Sequence, residues 1–152
     1  MHQQVKAART IGIVGAGAVG TELADEIAHT MPDKKITLIS DTDRLFPNML
    51  EKLGDALASK LRDAGVTLVF GHRAENLQSL NEPYAGSLKL SDGSEHDLDL
   101  IIPVLGSRAS SESLEDLPGV QKSTANRVKV DPWLRPSSLP NVFAAGDALP
   151  AA

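Results

Sequence analysis

The stretch that decides the fold is residues 11–27, which read IGIVGAGAVGTELADEI. It opens with a short apolar run, which is typical of a buried parallel strand. Gly15, Gly17 and Gly20 follow in a G-x-G-x-x-G spacing, and apolar residues then recur at helical intervals over residues 18–28. A strand, a glycine loop and a helix in this order indicate a dinucleotide-binding site.

Each glycine of the loop has a geometric task in such a site. The first allows the tight turn out of the strand, the second lets the backbone approach a pyrophosphate, and the third lets the helix pack close to the sheet. The helix N-terminus adds free N–H groups and the positive end of its dipole. The residues predicted to hold the cofactor are Gly15, Ala16, Gly17, Ala18, Val19 and Gly20. A structural turn without a ligand is the alternative interpretation.

The choice between NADH and NADPH depends on the end of the second predicted strand, residues 36–39. An acidic residue there would bond the adenosine ribose 2′-OH. That place falls on Ser40, followed by Asp41, with Arg44 nearby. Asp41 would repel a 2′-phosphate and Arg44 would attract one. NADH is favoured and NADPH stays open, as does the interpretation that Asp41 and Asp43 only cap a turn.

The rest of the chain continues the alternation of strands and helices. Four further elements are predicted: a helix at about 47–64, a strand at 66–70, a hairpin over 87–98 and a buried strand at 100–105. This order predicts an α/β fold, a Rossmann-like doubly wound parallel sheet with a β-hairpin or meander crossover. After Gly106 the periodicity is lost, so a domain boundary is placed near residue 107.

Composition excludes several classes of function. The 152 residues carry a net charge of −5, which argues against nucleic acid as a partner because phosphate binding needs a basic face. With no cysteine there is no disulfide, thiolate metal site or redox pair in this chain. The histidines have no ligand spacing, so no metal is predicted, and no catalytic acid, base or nucleophile is recognised. The start lacks a long apolar run, which favours a cytoplasmic protein.

Several stretches together resemble the pyridine nucleotide–disulfide oxidoreductase superfamily: IGIVGAGAVGTELADEI, KKITLIS, LRDAGVTLVFG, LIIPVLG and VKVDPWLRPSSLPNVFAAGD. Within it the chain is similar to apoptosis-inducing-factor-like NAD(P)H:quinone reductases and type II NADH dehydrogenases. In that family the NAD domain is inserted in a flavin domain. The resemblance implies an NAD(P)H-binding Rossmann-like domain at residues 8–106 and a partial FAD-domain segment at residues 107–152, here called the tail.

The resemblance also implies roles for single residues. Gly146 and Asp147 match the second flavin motif, whose Asp contacts the ribityl–phosphate region of FAD; the first flavin motif is not in this sequence. Glu22 matches an acid near the nicotinamide carboxamide, although a first-turn Glu favoured by the helix dipole is an alternative. Gly106 matches the glycine of the turn between the two domains, where the usual Ala-Thr before it is replaced by Val104 and Leu105.

The function implied by the resemblance is hydride transfer from nicotinamide to FAD and onward to an acceptor such as a quinone. The fragment alone is expected to be inactive and free of FAD, and the complete enzyme cytoplasmic or peripheral at the membrane. A stand-alone NAD(H)-binding sensor without flavin is the alternative. Strand-like segments at 128–130 and 142–145 would lack partners, which predicts a homodimer through the tail; folding back on its own sheet is the other option.

Overall fold

The computed structural model describes residues 1–46, 50–106, 120–123, 126–136 and 139–149. The chain divides into two compact units, Met1–Gly106 and Ser107–Ala152, which are taken separately. The helices and strands of the first unit are, in chain order, α1 (His2–Ala7), β1 (Thr10–Val14), α2 (Ala18–Thr30), β2 (Lys35–Ile39), α3 (Glu51–Asp63), β3 (Thr67–Val69), β4 (Tyr84–Lys89) and β5 (Glu95–Pro103).

The strands form one five-stranded sheet in the order β3-β2-β1-β5-β4. Strand β1 is parallel to both β2 and β5, β2 is parallel to β3, and only β4 runs antiparallel, paired with β5. The predicted Rossmann-like α/β sheet with a β-hairpin is therefore confirmed. Because β1 is central, the chain leaves it toward β2 on one side and returns to β5 on the other.

The core explains why these segments form these elements. In α2, Ala24, Ile27 and Ala28 are buried at intervals of three and four, and they pack in one cluster with alternate residues of β1 such as Ile11 and Ile13. Residues from α3 belong to the same cluster, so both long helices cover one face of the sheet. The opposite face packs against residues from the segment before β4 and from the hairpin.

Strand β5 corrects one prediction. The second arm of the predicted hairpin and the buried strand after it are one continuous strand, Glu95–Pro103. Its first half pairs with the edge strand β4 and alternates in exposure, whereas its last four residues are buried beside β1. The polarity changes along the strand because its neighbours change, and the pattern was wrongly taken as a break.

Helix α3 corrects another. It begins at Glu51 instead of about residue 47, and residues 47–49 lie outside the described residues. The leucine stripe does not form the buried face: Leu50 is 81% exposed, while Gly54, Ala58 and Leu61 are buried. A side chain at position 54 would come within 2.6 Å of the Leu45 carbonyl oxygen, so the helix is packed against that backbone. The short α1 was not predicted.

In the second unit the predicted strands are reduced to isolated bridges. Val128 pairs with Lys122 and Val130 with Pro136, each as a single antiparallel bridge. Residues 142–145 form no strand, which corrects the prediction there, and a short 3-10 helix follows at Gly146–Ala148.

Two backbone donors expected to be unpaired in the tail have partners inside it. The Val128 N–H donates to the Ala148 carbonyl at 2.8 Å, and the Ala144 N–H to the Leu134 carbonyl at 2.9 Å. Both Val128 and Ala144 are buried. Part of the argument for a dimer through the tail is therefore removed, because exposed strand edges were its basis.

Candidate functional site

The candidate site lies where the carboxyl ends of the parallel strands meet. Gly15 follows β1, Ser40 follows β2 and Val104 follows β5. Since the chain leaves β1 in opposite directions on its two sides, this edge is the switch point of the sheet. In open α/β sheets the crevice at such a point is where ligands bind.

Gly15 is required by the fold itself. Its φ is +117°, in the region that favours glycine, and a Cβ there would lie 2.5 Å from the Val104 carbonyl oxygen. Its N–H donates to the Ile39 carbonyl at 2.8 Å, and the Val104 N–H donates to the Val14 carbonyl at 2.8 Å. The loop therefore begins on a backbone that is bonded to both neighbouring strands.

Gly20 is also explained by packing. A Cβ at this position would overlap the carbonyl oxygen of Gly15 and lie 3.0 Å from Cγ2 of Val104. Without a side chain, the first turn of α2 can rest on the end of β1. Ala16, between these glycines in the loop, is likewise buried.

Gly17 is different, because nothing within the protein requires a glycine there. It is the N-cap of α2 with φ −79° and ψ −169°, a conformation open to any residue, and a Cβ on it would meet no atom within 4 Å. No side chain caps the helix. The first N–H groups of α2, beginning with those of Ala18 and Val19, have no intrahelical acceptor and point with the positive dipole end into this space. Such a helix start is suited to an anion.

Ser40 lies at the predicted place, but its hydroxyl is engaged inside the loop. The Thr42 hydroxyl donates its proton to the Arg44 carbonyl at 2.9 Å, so the 2.8 Å contact between Ser40 Oγ and Thr42 Oγ1 has Ser40 as donor. Ser40 Oγ also accepts the Thr42 N–H at 3.3 Å. Ser40 is buried, so its side chain has no free donor for a ribose.

Arg44 is directed toward the start of α3. Its guanidinium NH1 lies 3.5 Å from Oε1 of Glu51, and it is not among the residues of the cavity beside the loop. Asp41, by contrast, is exposed and lines that cavity.

The cavity has a volume of about 200 Å³ and is lined from the ends of several strands. Its apolar lining comes from Val14, Ile39, Ala74, Leu77 and Leu105, and its polar lining from Ser40, Asp41, His72 and Arg73. The sequence analysis missed His72, Arg73, Ala74 and Leu77. They follow β3, whose carboxyl end lies beside that of β2 in the parallel sheet, and this adjacency was the available signal.

A polar pair stands at the edge of the cavity. Nε2 of His72 lies 3.7 Å from Oδ2 of Asp92. The pKa of Asp92 is lowered chiefly by hydrogen bonds from the Ser94 hydroxyl, at 2.6 Å, and the Ser94 N–H, at 2.9 Å, and further by His72. Among the residues that the structure describes, no group of three or more His, Asp or Glu could hold a metal ion.

The remaining predicted residues are placed as follows. Glu22 is exposed and lies beyond the first turn of α2, which contains no acid, so the alternative of a first-turn Glu is wrong. Gly106 ends the first unit with φ +101°. Gly146 and Asp147 lie in the 3-10 helix of the second unit, with φ +66° at Gly146. In the described part of the chain no helix is long and apolar enough to cross a bilayer.

Comparison with known proteins adds to this geometry. The chain matches the model of the pyridine nucleotide-disulphide oxidoreductase family over residues 1–151. It is 32% identical over 151 residues to Fe-regulated protein 8 of Mycosarcoma maydis, a match covering 99% of this chain and 37% of that protein. It is 28% identical over 150 residues to the type II NADH:quinone oxidoreductase of Haemophilus influenzae, covering 90% of this chain and 32% of that enzyme.

A solved structure is similar over nearly the whole chain. The water-forming NADH oxidase from Lactobacillus brevis bound to NADH gives a TM-score of 0.78 at 27% identity, covering 97% of this chain and 31% of that one. The chain thus spans between 31% and 37% of the length of these three proteins.

Proposed function

The chain belongs to the pyridine nucleotide-disulphide oxidoreductase family, and on this premise we propose that it is the NAD(P)H-binding part of an FAD-dependent oxidoreductase. The resemblance to this family and its cofactor class, a nicotinamide dinucleotide together with FAD, is confirmed. When both cofactors are bound, the chemistry they supply is hydride transfer from nicotinamide to flavin. A quinone is the proposed class of acceptor, supported by the similarity to an NADH:quinone oxidoreductase.

The observation that carries the proposal is the open space in front of Gly17. Gly15 and Gly20 are explained by contacts within the fold, but Gly17 has an ordinary backbone conformation and no atom of the protein near its missing Cβ. A glycine with no internal reason is accounted for by a ligand that lies where the side chain would be. A pyrophosphate fits this place because the uncapped N–H groups of α2 converge there.

The chain's own residues then have assigned tasks. The backbone from Gly15 to Gly20 would hold the pyrophosphate, and the apolar lining of the cavity would hold the adenine. Glu22 and Gly106 are assigned to the nicotinamide end, as the resemblance implies. Gly146 and Asp147 are assigned to FAD in the complete enzyme. None of these residues acts as an acid, base or nucleophile; they bind and orient.

The test is a titration of the purified chain with NADH, followed by the fluorescence of the reduced nicotinamide. Saturable binding is expected for the wild type, and its loss for Gly17→Val, because a branched side chain would occupy the pyrophosphate's place. Ala56→Val is the matched control, since it places the same branched side chain at an exposed position of α3. Equal binding by Gly17→Val and the wild type would remove the glycine loop from the site.

A further inference from the structure

We propose that Asp41 and Arg73, instead of Ser40 and Arg44, recognise the adenosine end of the dinucleotide, with Asp41 selecting a ribose that carries no 2′-phosphate. The proposal rests on the proposed function and names the residues that decide its cofactor preference. The two residues that the sequence pattern placed at this point are engaged elsewhere. Ser40 uses its hydroxyl as donor and acceptor toward Thr42, and the Arg44 guanidinium lies beside Glu51.

Asp41 and Arg73 have the position and the freedom that Ser40 and Arg44 lack. Both line the cavity beside the glycine loop, and both are exposed. Among the residues that the structure describes, neither the Asp41 carboxylate nor the Arg73 guanidinium has a hydrogen-bond or ion-pair partner. One anionic and one cationic group, each unpaired, therefore stand at the same small cavity.

The backbone that carries these side chains is held by hydrogen bonds. Next to Asp41, the Ser40 N–H donates to the Val69 carbonyl at 2.9 Å, and the His72 N–H donates to the Ser40 carbonyl at 3.1 Å. The Arg73 N–H donates to Ser91 Oγ at 3.1 Å, and its carbonyl accepts the Ser91 N–H at 2.9 Å. The ladder between β2 and β3 thus continues past the strands and fixes both residues at one edge.

The chemistry of the two groups differs, and so does the part of adenosine that suits each. A carboxylate accepts hydrogen bonds from ribose hydroxyls and repels a 2′-phosphate. A guanidinium is planar and stacks on an aromatic face, and Arg73 leads directly into the apolar residues Ala74 and Leu77 that would contact an adenine ring. Asp41 therefore determines the preference between the two ribose forms, and Arg73 strengthens both through the base.

The experiment uses ligands that lack the nicotinamide: ADP-ribose and 2′-phospho-ADP-ribose, titrated calorimetrically into the purified chain. The wild type should bind ADP-ribose more tightly. Asp41→Asn should reduce that preference by about tenfold or more, since a hydrogen bond to a charged group is exchanged for a neutral one and the repulsion is lost. Arg73→Gln should weaken both ligands by the same factor, about threefold.

The controls are Asp63→Asn and Arg62→Gln, which make the same changes of charge at exposed positions of α3 outside the cavity and should leave both affinities unchanged. Selective loss of the 2′-phosphorylated ligand in Arg73→Gln would overturn the assignment to adenine. Unchanged affinities in both cavity variants, with normal wild-type binding, would overturn this proposal alone. A wild type that binds neither these ligands nor NADH would overturn the proposed function together with it.

Discussion

Replacing Gly17 by aspartate should stabilise the protein and at the same time abolish dinucleotide binding. Gly17 is the N-cap of α2, its φ and ψ are those of the extended region, and its Cβ would meet no protein atom within 4 Å. Asp is among the preferred N-cap residues, because its carboxylate accepts N–H bonds that are otherwise unsatisfied. The structure therefore accommodates the side chain without strain.

The two magnitudes have opposite signs. Exchanging Gly for Asp at an N-cap is worth a few tenths of a kcal/mol, and a carboxylate at the positive end of the helix dipole adds about 0.3–1 kcal/mol. For a unit of about 100 residues this raises the melting temperature by roughly 2–6 °C. A carboxylate about 4 Å from a pyrophosphate charge costs about 4 kcal/mol at an effective dielectric constant near 20, which is about a thousandfold in affinity.

The assays are thermal unfolding by circular dichroism and titration with NADH, both on the same preparation of Gly17→Asp. A raised melting temperature with no saturable binding is the expected pair of results. If the variant melts higher but binds NADH within tenfold of the wild type, the pyrophosphate does not lie at Gly17. If it melts far lower, glycine is needed there by the fold and the reasoning about the open space is wrong.

Three further predictions concern packing, pH and flavin, and a fourth the oligomeric state. Gly20→Ala should lower the free energy of unfolding by about 1–3 kcal/mol, in denaturant titrations, because its Cβ would overlap the Gly15 carbonyl oxygen, despite the better helix propensity of alanine. The N–H groups of Thr10 and then Arg9 hold the pKa of Asp99 below its ordinary value. Its contribution to stability is present above the unfolded pKa of about 3.9 and is lost as the pH falls through the folded pKa, so melting temperatures should fall on acidification below about pH 4; Asp99→Asn should flatten this decline, and Asp97→Asn should not. The purified 152-residue chain should show no stoichiometric flavin absorbance, since only one of the two flavin motifs is present, and a yellow protein would contradict this. Light scattering should detect a dimer that is lost when the chain is cut before residue 107; a monomer of the full chain at all concentrations would refute the proposed association through the tail.

The parts of the fold that the sequence predicted are those determined by local pattern. The apolar run, the glycine spacing and the helical periodicity lie within residues 11–28, so strand, loop and helix could be assigned without knowledge of their neighbours. Strand β5 could not be assigned in full, because its exposure depends on whether β4 or β1 lies beside it. Leu50 and Leu53 followed the helical period, yet the close approach of α3 to the Leu45 backbone buries Gly54 instead.

The candidate site divides in the same way. The glycine loop is a local motif, whereas Arg73 joins the cavity only through the pairing of β2 with β3, which brings it beside Asp41 from a distant part of the chain. Ser40 was correctly placed at the end of β2, but the loss of its hydroxyl to Thr42 depends on the turn conformation, which the residue types do not specify.

The most direct measurement of the central claim is a titration of the ¹⁵N-labelled chain with NADH, followed by the amide chemical shifts of assigned residues. Binding as proposed predicts saturable shifts concentrated at Gly15–Gly20, because those N–H groups would contact the pyrophosphate, with smaller shifts at Asp41 and Arg73. Amides of the loop that stay in place while shifts cluster elsewhere, or a spectrum unchanged at millimolar NADH, would contradict the assignment of this chain as a dinucleotide-binding domain.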